Sequence, residues 1–106
     1  MSEKVYSLDE IRHIAAPIAA RHGVDALYLF GSYARGDATP KSDLDFRIEK
    51  GRIRTLCQLA GFEMEMEESF DKRLDVLTTQ MLSEQFLQSI RPEEILIYAK
   101  NRHNNS

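Results

Sequence analysis

Apolar residues recur along this chain with two periods, and the switches between them mark its elements. Leu8, Ile11, Ile14, Ala15 and Ile18 lie three or four apart, the spacing of one helix face. Ser7 precedes them and Glu10 follows Ser7 by three, the order of a capping box. The pattern therefore predicts a helix from about Leu8 to His22, closed by Gly23. Pro17 falls inside it, which predicts a kink or an early end near Ala16. The run Ala26, Leu27, Tyr28, Leu29, Phe30 is short, apolar and bounded by glycines, as a buried strand is. Leu44, Phe46 and Ile48 then alternate with Asp43, Asp45 and Arg47, which predicts a half-buried strand with its carboxylates together on the opposite face.

The longer period returns in Ile53, Leu56, Leu59, Phe62, Met66 and Phe70, predicting a helix from about Arg52 to Phe70. Gly61 within it is expected to let the helix lie close on a sheet. Phe62 to Met66 also alternate, so a strand competes there; helix is favoured because Leu, Met, Gln and Glu form helices readily. Lys72 to Thr78 reads as a strand, Leu82 to Ile90 as a helix stopped near Pro92, and Ile95 to Tyr98 as a short final strand. A helix long enough for a crossover joins the Asp43 strand to the Asp75 strand, so these two are expected to run parallel and as neighbours. The connection from the first strand to the Asp43 strand is short and expected to be antiparallel. The result is an α/β domain over residues 1–100, a small mixed sheet flanked by helices, followed by a polar, frayed tail at 101–106.

Composition narrows the function. With 106 residues, 42% of them hydrophobic, the chain has room for one core but no second substrate-binding domain. No apolar run approaches the roughly 20 residues of a membrane span, and the start MSEKVYSLDE has no signal-peptide pattern. A single cysteine, Cys57, cannot form an internal disulfide, so a reducing, cytoplasmic setting is the default. The net charge is -3, and Arg12, Arg21, Arg35, Lys41, Arg47, Arg52 and Arg54 are scattered. Nucleic acid is accordingly disfavoured as the main partner.

The chemistry gathers in GSYARGDATPKSDLDF, residues 31 to 46. Strand alternation sets the α-carbons of Asp43 and Asp45 roughly 6.5 to 7 Å apart on one face. Asp75, on a parallel neighbour, supplies a third carboxylate if the strands are in register. Three oxygen donors without His or Cys suit Mg²⁺ or Mn²⁺ and poorly suit zinc. Two such ions about 3.5 to 4 Å apart clamp the attacking and leaving oxygens of an in-line phosphoryl displacement. At the end of the preceding strand, backbone N–H groups of Gly31 and Ser32 and the Ser32 hydroxyl can approach a triphosphate, and Arg35 can offset its charge.

Gly31-Ser32-x-x-Arg35-Gly36 followed by Ser42-Asp43-x-Asp45 resembles the signature of the minimal nucleotidyltransferases (MNT), small members of the DNA polymerase β-like nucleotidyltransferase superfamily. The likeness extends through the LAGF crossover helix, the LDVLT strand and the ILIYA ending, most of the chain. It implies the nucleotidyltransferase fold. It implies Asp43, Asp45 and Asp75 as metal ligands and catalytic residues, with Asp75 also accepting the proton of the attacking hydroxyl. Gly31 and Ser32 would hold the β- and γ-phosphates, assisted by Arg35. Ser42 is counted with the nucleotide-binding positions, with shaping of the turn before Asp43 as its favoured role. The implied reaction moves a nucleoside monophosphate, AMP from ATP, to a hydroxyl and releases pyrophosphate. Members of this family often pair with all-helical HEPN toxins and act as antitoxins by placing AMP on a toxin tyrosine, so a HEPN-type partner is implied. Tyr33 and Arg47 are the departures from the family pattern, and neither removes a ligand.

A non-catalytic antitoxin-like module that neutralises its partner by occlusion is the alternative. The three aspartates favour the enzyme, because a scaffold has no need to hold like charges together. A homodimer is compatible with so small a domain. Glu63, Glu65, Glu67 and Glu68 are expected on a solvated helix face, Met64 and Met66 in helix packing, and Cys57 as a small buried residue. His13, His22 and His103 are assigned no chemistry.

Overall fold

The computed structural model describes residues 4–100. Its elements are α1 (Leu8–His22), β1 (Ala26–Phe30), α2 (Ser32–Arg35), β2 (Leu44–Glu49), α3 (Leu56–Phe70), β3 (Leu74–Thr78), α4 (Glu84–Ile90) and β4 (Ile95–Ala99), with a 3-10 turn at Thr79–Met81. The strands form one mixed sheet in the order β3-β2-β1-β4. β1 runs antiparallel to β2 and β4, and β2 runs parallel to β3. The expected frayed tail lies outside the described residues.

Local signals placed most boundaries. The capping box of Ser7 and Glu10 opens α1, and Gly23, in the left-handed conformation at φ 75°, closes it. α1 does not end near Ala16. Pro17 and His13 are both exposed, so the carbonyl that loses its donor lies on the solvated side and the helix runs on. The long helix begins later than its apolar spacing predicts. Thr55 caps it, with Gln58 completing a second capping box, while Arg52 N–H donates back to the Gly23 carbonyl at 2.9 Å. At the other end Asp71 turns left-handed at φ 51°, and β3 starts at Leu74 rather than Lys72. Ser83 caps α4, which therefore starts at Glu84.

One face of the sheet carries the core. Leu27 and Leu29 of β1, Leu44, Phe46 and Ile48 of β2, and Leu74 and Val76 of β3 pack with Ile11, Ala15 and Ile18 of α1 and Leu59, Phe62, Met66 and Phe70 of α3. Phe46, Phe62, Phe70 and Met66 are fully buried; such side chains each contribute about 1.5–3 kcal/mol. Helix, not strand, thus holds at 62–66. Three expectations fail on this helix. Gly61 faces open space, with nothing within 4 Å of where its Cβ would be, so it mediates no close approach. Cys57 is exposed, one position off the Leu59–Phe62–Met66–Phe70 stripe. Met64 is exposed whereas Met66 is buried. Glu65 is not merely solvated either: it pairs with Arg21 and lies 2.8 Å from His22 Nε2, tying α3 to the end of α1.

The opposite sheet face carries Tyr28, Phe30, Asp45, Arg47, Asp75 and Leu77, since their partners in register are the core positions' neighbours. α4 reaches this face through Phe86, whose ring meets Phe30 edge-on at 6.0 Å. Arg47 is buried here, 5% exposed, and bonds Glu94 through Nε at 2.5 Å and Nη2 at 2.9 Å. Its Nη1 donates to Thr79 Oγ1 at 2.7 Å and Glu49 at 2.9 Å, and its guanidinium stacks 4.3 Å from the Tyr28 ring centre.

Candidate active site

β1 ends at Phe30, the register partner of Asp45, and the chain turns immediately at Gly31, φ 81° and ψ −156°. Only glycine adopts this conformation readily, and space demands it too: a Cβ on Gly31 would overlap Asp45 Oδ2. The backbone of the loop and the carboxylate of β2 are therefore in direct contact, as a phosphate cradle beside metal ligands requires. α2 follows as one short turn. Arg35 N–H donates to the Gly31 carbonyl at 3.0 Å, and Gly36, at φ 87°, donates to the Ser32 carbonyl at 3.0 Å. This turn is an element that the apolar pattern does not announce. Four residues are too few to display a period.

Asp45 and Asp75 are opposite each other across parallel β2 and β3, as the crossover length predicts, and Asp43 lies just ahead of β2. Asp45 is half-buried, and burial first, then the charges of Asp75 and Asp43, push its carboxyl up from 3.8 to about 6. Arg35 opposes this shift, and Glu93 adds to it. Glu63 on α3 is also raised, by burial, Glu67 and Asp75. The Asp45 end of the sheet is thus a focus of uncompensated negative charge. Among the described residues, however, no three His, Cys, Asp or Glu side chains converge tightly enough to enclose an ion alone. That pattern fits Mg²⁺ or Mn²⁺ completed by substrate: magnesium is commonly held by one or two carboxylates plus phosphate oxygens, not by an all-protein cage. The all-oxygen donor set fits such an ion.

The remaining predicted positions fall into place unequally. Ser32 is the first residue of α2, next to the cradle. Arg35 is exposed and pairs with Asp37 at 3.5 Å and Glu93 at 3.4 Å. Ser42 closes the turn before Asp43: its Oγ accepts from Thr39 N–H and its own N–H donates to the Thr39 carbonyl, both at 2.9 Å. Tyr33 packs in the main core, and Arg47 is engaged by Glu94. Glu93 was missed by sequence reading. Its carboxylate accepts from Gly31 N–H at 2.8 Å, across 62 positions, and the Pro-Glu-Glu stretch signals only a helix stop.

A β2–β3 carboxylate pair lies beside a glycine turn at the end of β1, and the family fits that arrangement. The chain belongs to the family described as Polymerase beta, Nucleotidyltransferase, which matches residues 12–103. It is similar to a Methanocaldococcus jannaschii protein provisionally named as protein adenylyltransferase MJ0435, 39% identical over 72 residues that cover 68% of this chain and 77% of the relative. A solved structure provisionally described as a minimal nucleotidyltransferase shares 29% identity and a TM-score of 0.74, covering 85% of this chain and 95% of that one. One chain of a solved structure of tri-AMPylated Shewanella oneidensis HEPN toxin in complex with MNT antitoxin has the same fold, at 12% identity and TM-score 0.69, covering 92% of this chain and 76% of that one. The mixed four-stranded sheet is the nucleotidyltransferase fold, and the chain is a nucleotidyltransferase. Among the described residues no helix is long and apolar enough to cross a membrane.

Proposed function

We propose that this protein transfers AMP from ATP to a hydroxyl of a protein partner, and that the partner is an all-helical HEPN-type chain. The observation that carries the reading is the Asp45 carboxylate, seated against Gly31 and opposite Asp75 with its charge unbalanced. The relatives' names support adenylyl transfer to protein, and the AMPylated toxin complex supports the partner class.

Asp43, Asp45 and Asp75 would hold Mg²⁺ or Mn²⁺, which when bound neutralises phosphate charge and orients the triphosphate for in-line attack. Gly31 N–H and the Ser32 hydroxyl receive β- and γ-phosphate oxygens, and Arg35 offsets the charge that develops on the leaving group. The acceptor oxygen forms its bond to the α-phosphorus as the α–β bridging bond breaks. Pyrophosphate leaves with that bridging oxygen, and the hydroxyl proton passes to Asp75. Ser42 acts through the Thr39 turn, which sets Asp43 ahead of β2. The site works in the cytoplasm, where ATP is available.

A second reading, occlusion without chemistry, draws on the absence of a closed three-ligand cluster among the described residues. One experiment separates the two. Incubation with Mg²⁺, α-labelled ATP and the neighbouring-gene product should place label on a tyrosine of that product, and Asp43→Asn with Asp45→Asn should abolish it. Tight complex formation with no label from any nucleotide would establish the occluding module instead.

A further inference from the structure

Gly31 N–H, the cradle donor, already has an anion. We propose that Glu93 is an internal competitor for phosphate: it fills the cradle of the nucleotide-free protein, yields it to the triphosphate and returns as pyrophosphate leaves. Glu93 Oε2 accepts from Gly31 N–H at 2.8 Å, and Oε1 lies 3.4 Å from Arg35 Nη1. Gly31 N–H is assigned above to a phosphate oxygen and Arg35 to the charge of the leaving group, so the inference rests on that assignment. A carboxylate oxygen and a phosphate oxygen make the same charge-assisted bond to a backbone N–H. Both cannot occupy it.

The carboxylate's place is built into the fold. Glu93 and Glu94 both donate N–H to the Ile90 carbonyl at 3.0 Å, which fixes the turn after α4. Glu94 is clamped by Arg47 through two bonds, and Arg47 is itself braced by Thr79, Glu49 and the Tyr28 ring. The backbone beside Glu93 is therefore held while its own side chain, 23% exposed, has a path to solvent. It can swing out without unfolding the turn. Glu93 is thus a positioning residue for nucleotide entry and product exit, and any ligand that needs the Gly31 amide must displace it.

The test is calorimetric titration of wild type, Glu93→Gln and Glu93→Ala with Mg-ATP and with Mg-pyrophosphate, the fold of each variant checked by its thermal melt. A ligand that competes with an internal anion for its site loses apparent affinity in proportion to the occupied fraction. Both variants should therefore bind both ligands more tightly by one common factor, on the order of tenfold. In steady state, KM for ATP and the inhibition constant of pyrophosphate should fall together. The Gly31 amide resonance should move in Glu93→Ala without any ligand. Unchanged or weaker binding by a folded Glu93→Gln, with wild type still binding, overturns the role of Glu93 alone. Failure of all three proteins to bind either ligand overturns the nucleotide site together with it.

Discussion

Asp45→Asn should make the ligand-free protein more stable while destroying its activity. Folding moves the Asp45 carboxyl from 3.8 to about 6, with burial as the first cause and Asp75 and Asp43 next. The folded state therefore holds a proton that the unfolded chain has released across this interval. Stability falls as pH rises from about 4 through 6, then levels off. For a fully buried group the change would be worth about 3 kcal/mol; Asp45 is half-buried, so solvent screening leaves about 1–2 kcal/mol. Asparagine keeps the shape and carries no charge to desolvate. Urea unfolding of both proteins in EDTA, from about pH 3 to 7.5, measures the difference. The variant should match wild type at the acid end and exceed it by about 1–2 kcal/mol at pH 7.5. Parallel stability profiles, or an asparagine variant weaker than wild type at pH 7.5, would refute the picture of strained carboxylates waiting for a cation.

Three further outcomes follow from the same geometry. At pH 7.5, Mn²⁺ or Mg²⁺ at a hundred times its dissociation constant should raise wild-type stability by about 2.7 kcal/mol, read as a melting shift; chelation should reverse it, and at pH 5 protonation of Asp45 should shrink it. Gly31→Ala forces a side chain into a left-handed position already filled by Asp45 Oδ2, so it should lower stability by about 1–3 kcal/mol and reduce AMP transfer; an unchanged denaturation midpoint would remove the close-contact account. Arg47→Met strands Glu94, only 6% exposed, and should destabilise by about 3–5 kcal/mol in urea unfolding. Adding Glu94→Leu should recover most of that loss, because no unpaired charge then stays buried; a double variant no better than the single would contradict the ion-pair explanation.

The parts of the fold that depend on near neighbours were readable in advance. Ser7 with Glu10 and the spacing of Ile11, Ala15 and Ile18 set α1, because capping and one-sided burial act within a turn or two. The pairing of β2 with β3 was readable for a less local reason: a helical crossover of that length favours parallel neighbours, and Asp45 met Asp75 in register. Pro17 misled because its effect turns on whether the orphaned carbonyl meets water, and Gly61 because a missing side chain announces no particular neighbour. Cys57 sat one position off a stripe whose width only packing decides.

The sequence alone determined the alternation that sets Asp45 on the face opposite the core, the glycine that must end β1, and the family to which such a loop belongs. It could place those groups because each is fixed by backbone periodicity over a few residues. Only the tertiary structure decided that Asp45 lies against Gly31, that Arg47 is buried against Glu94, and that Glu93 occupies the Gly31 amide. Those contacts join positions 14 to 62 apart in the chain. Which remote charge arrives at a given donor depends on how the sheet and the α4–β4 turn close over one another, and no local pattern of polar and apolar residues carries that information.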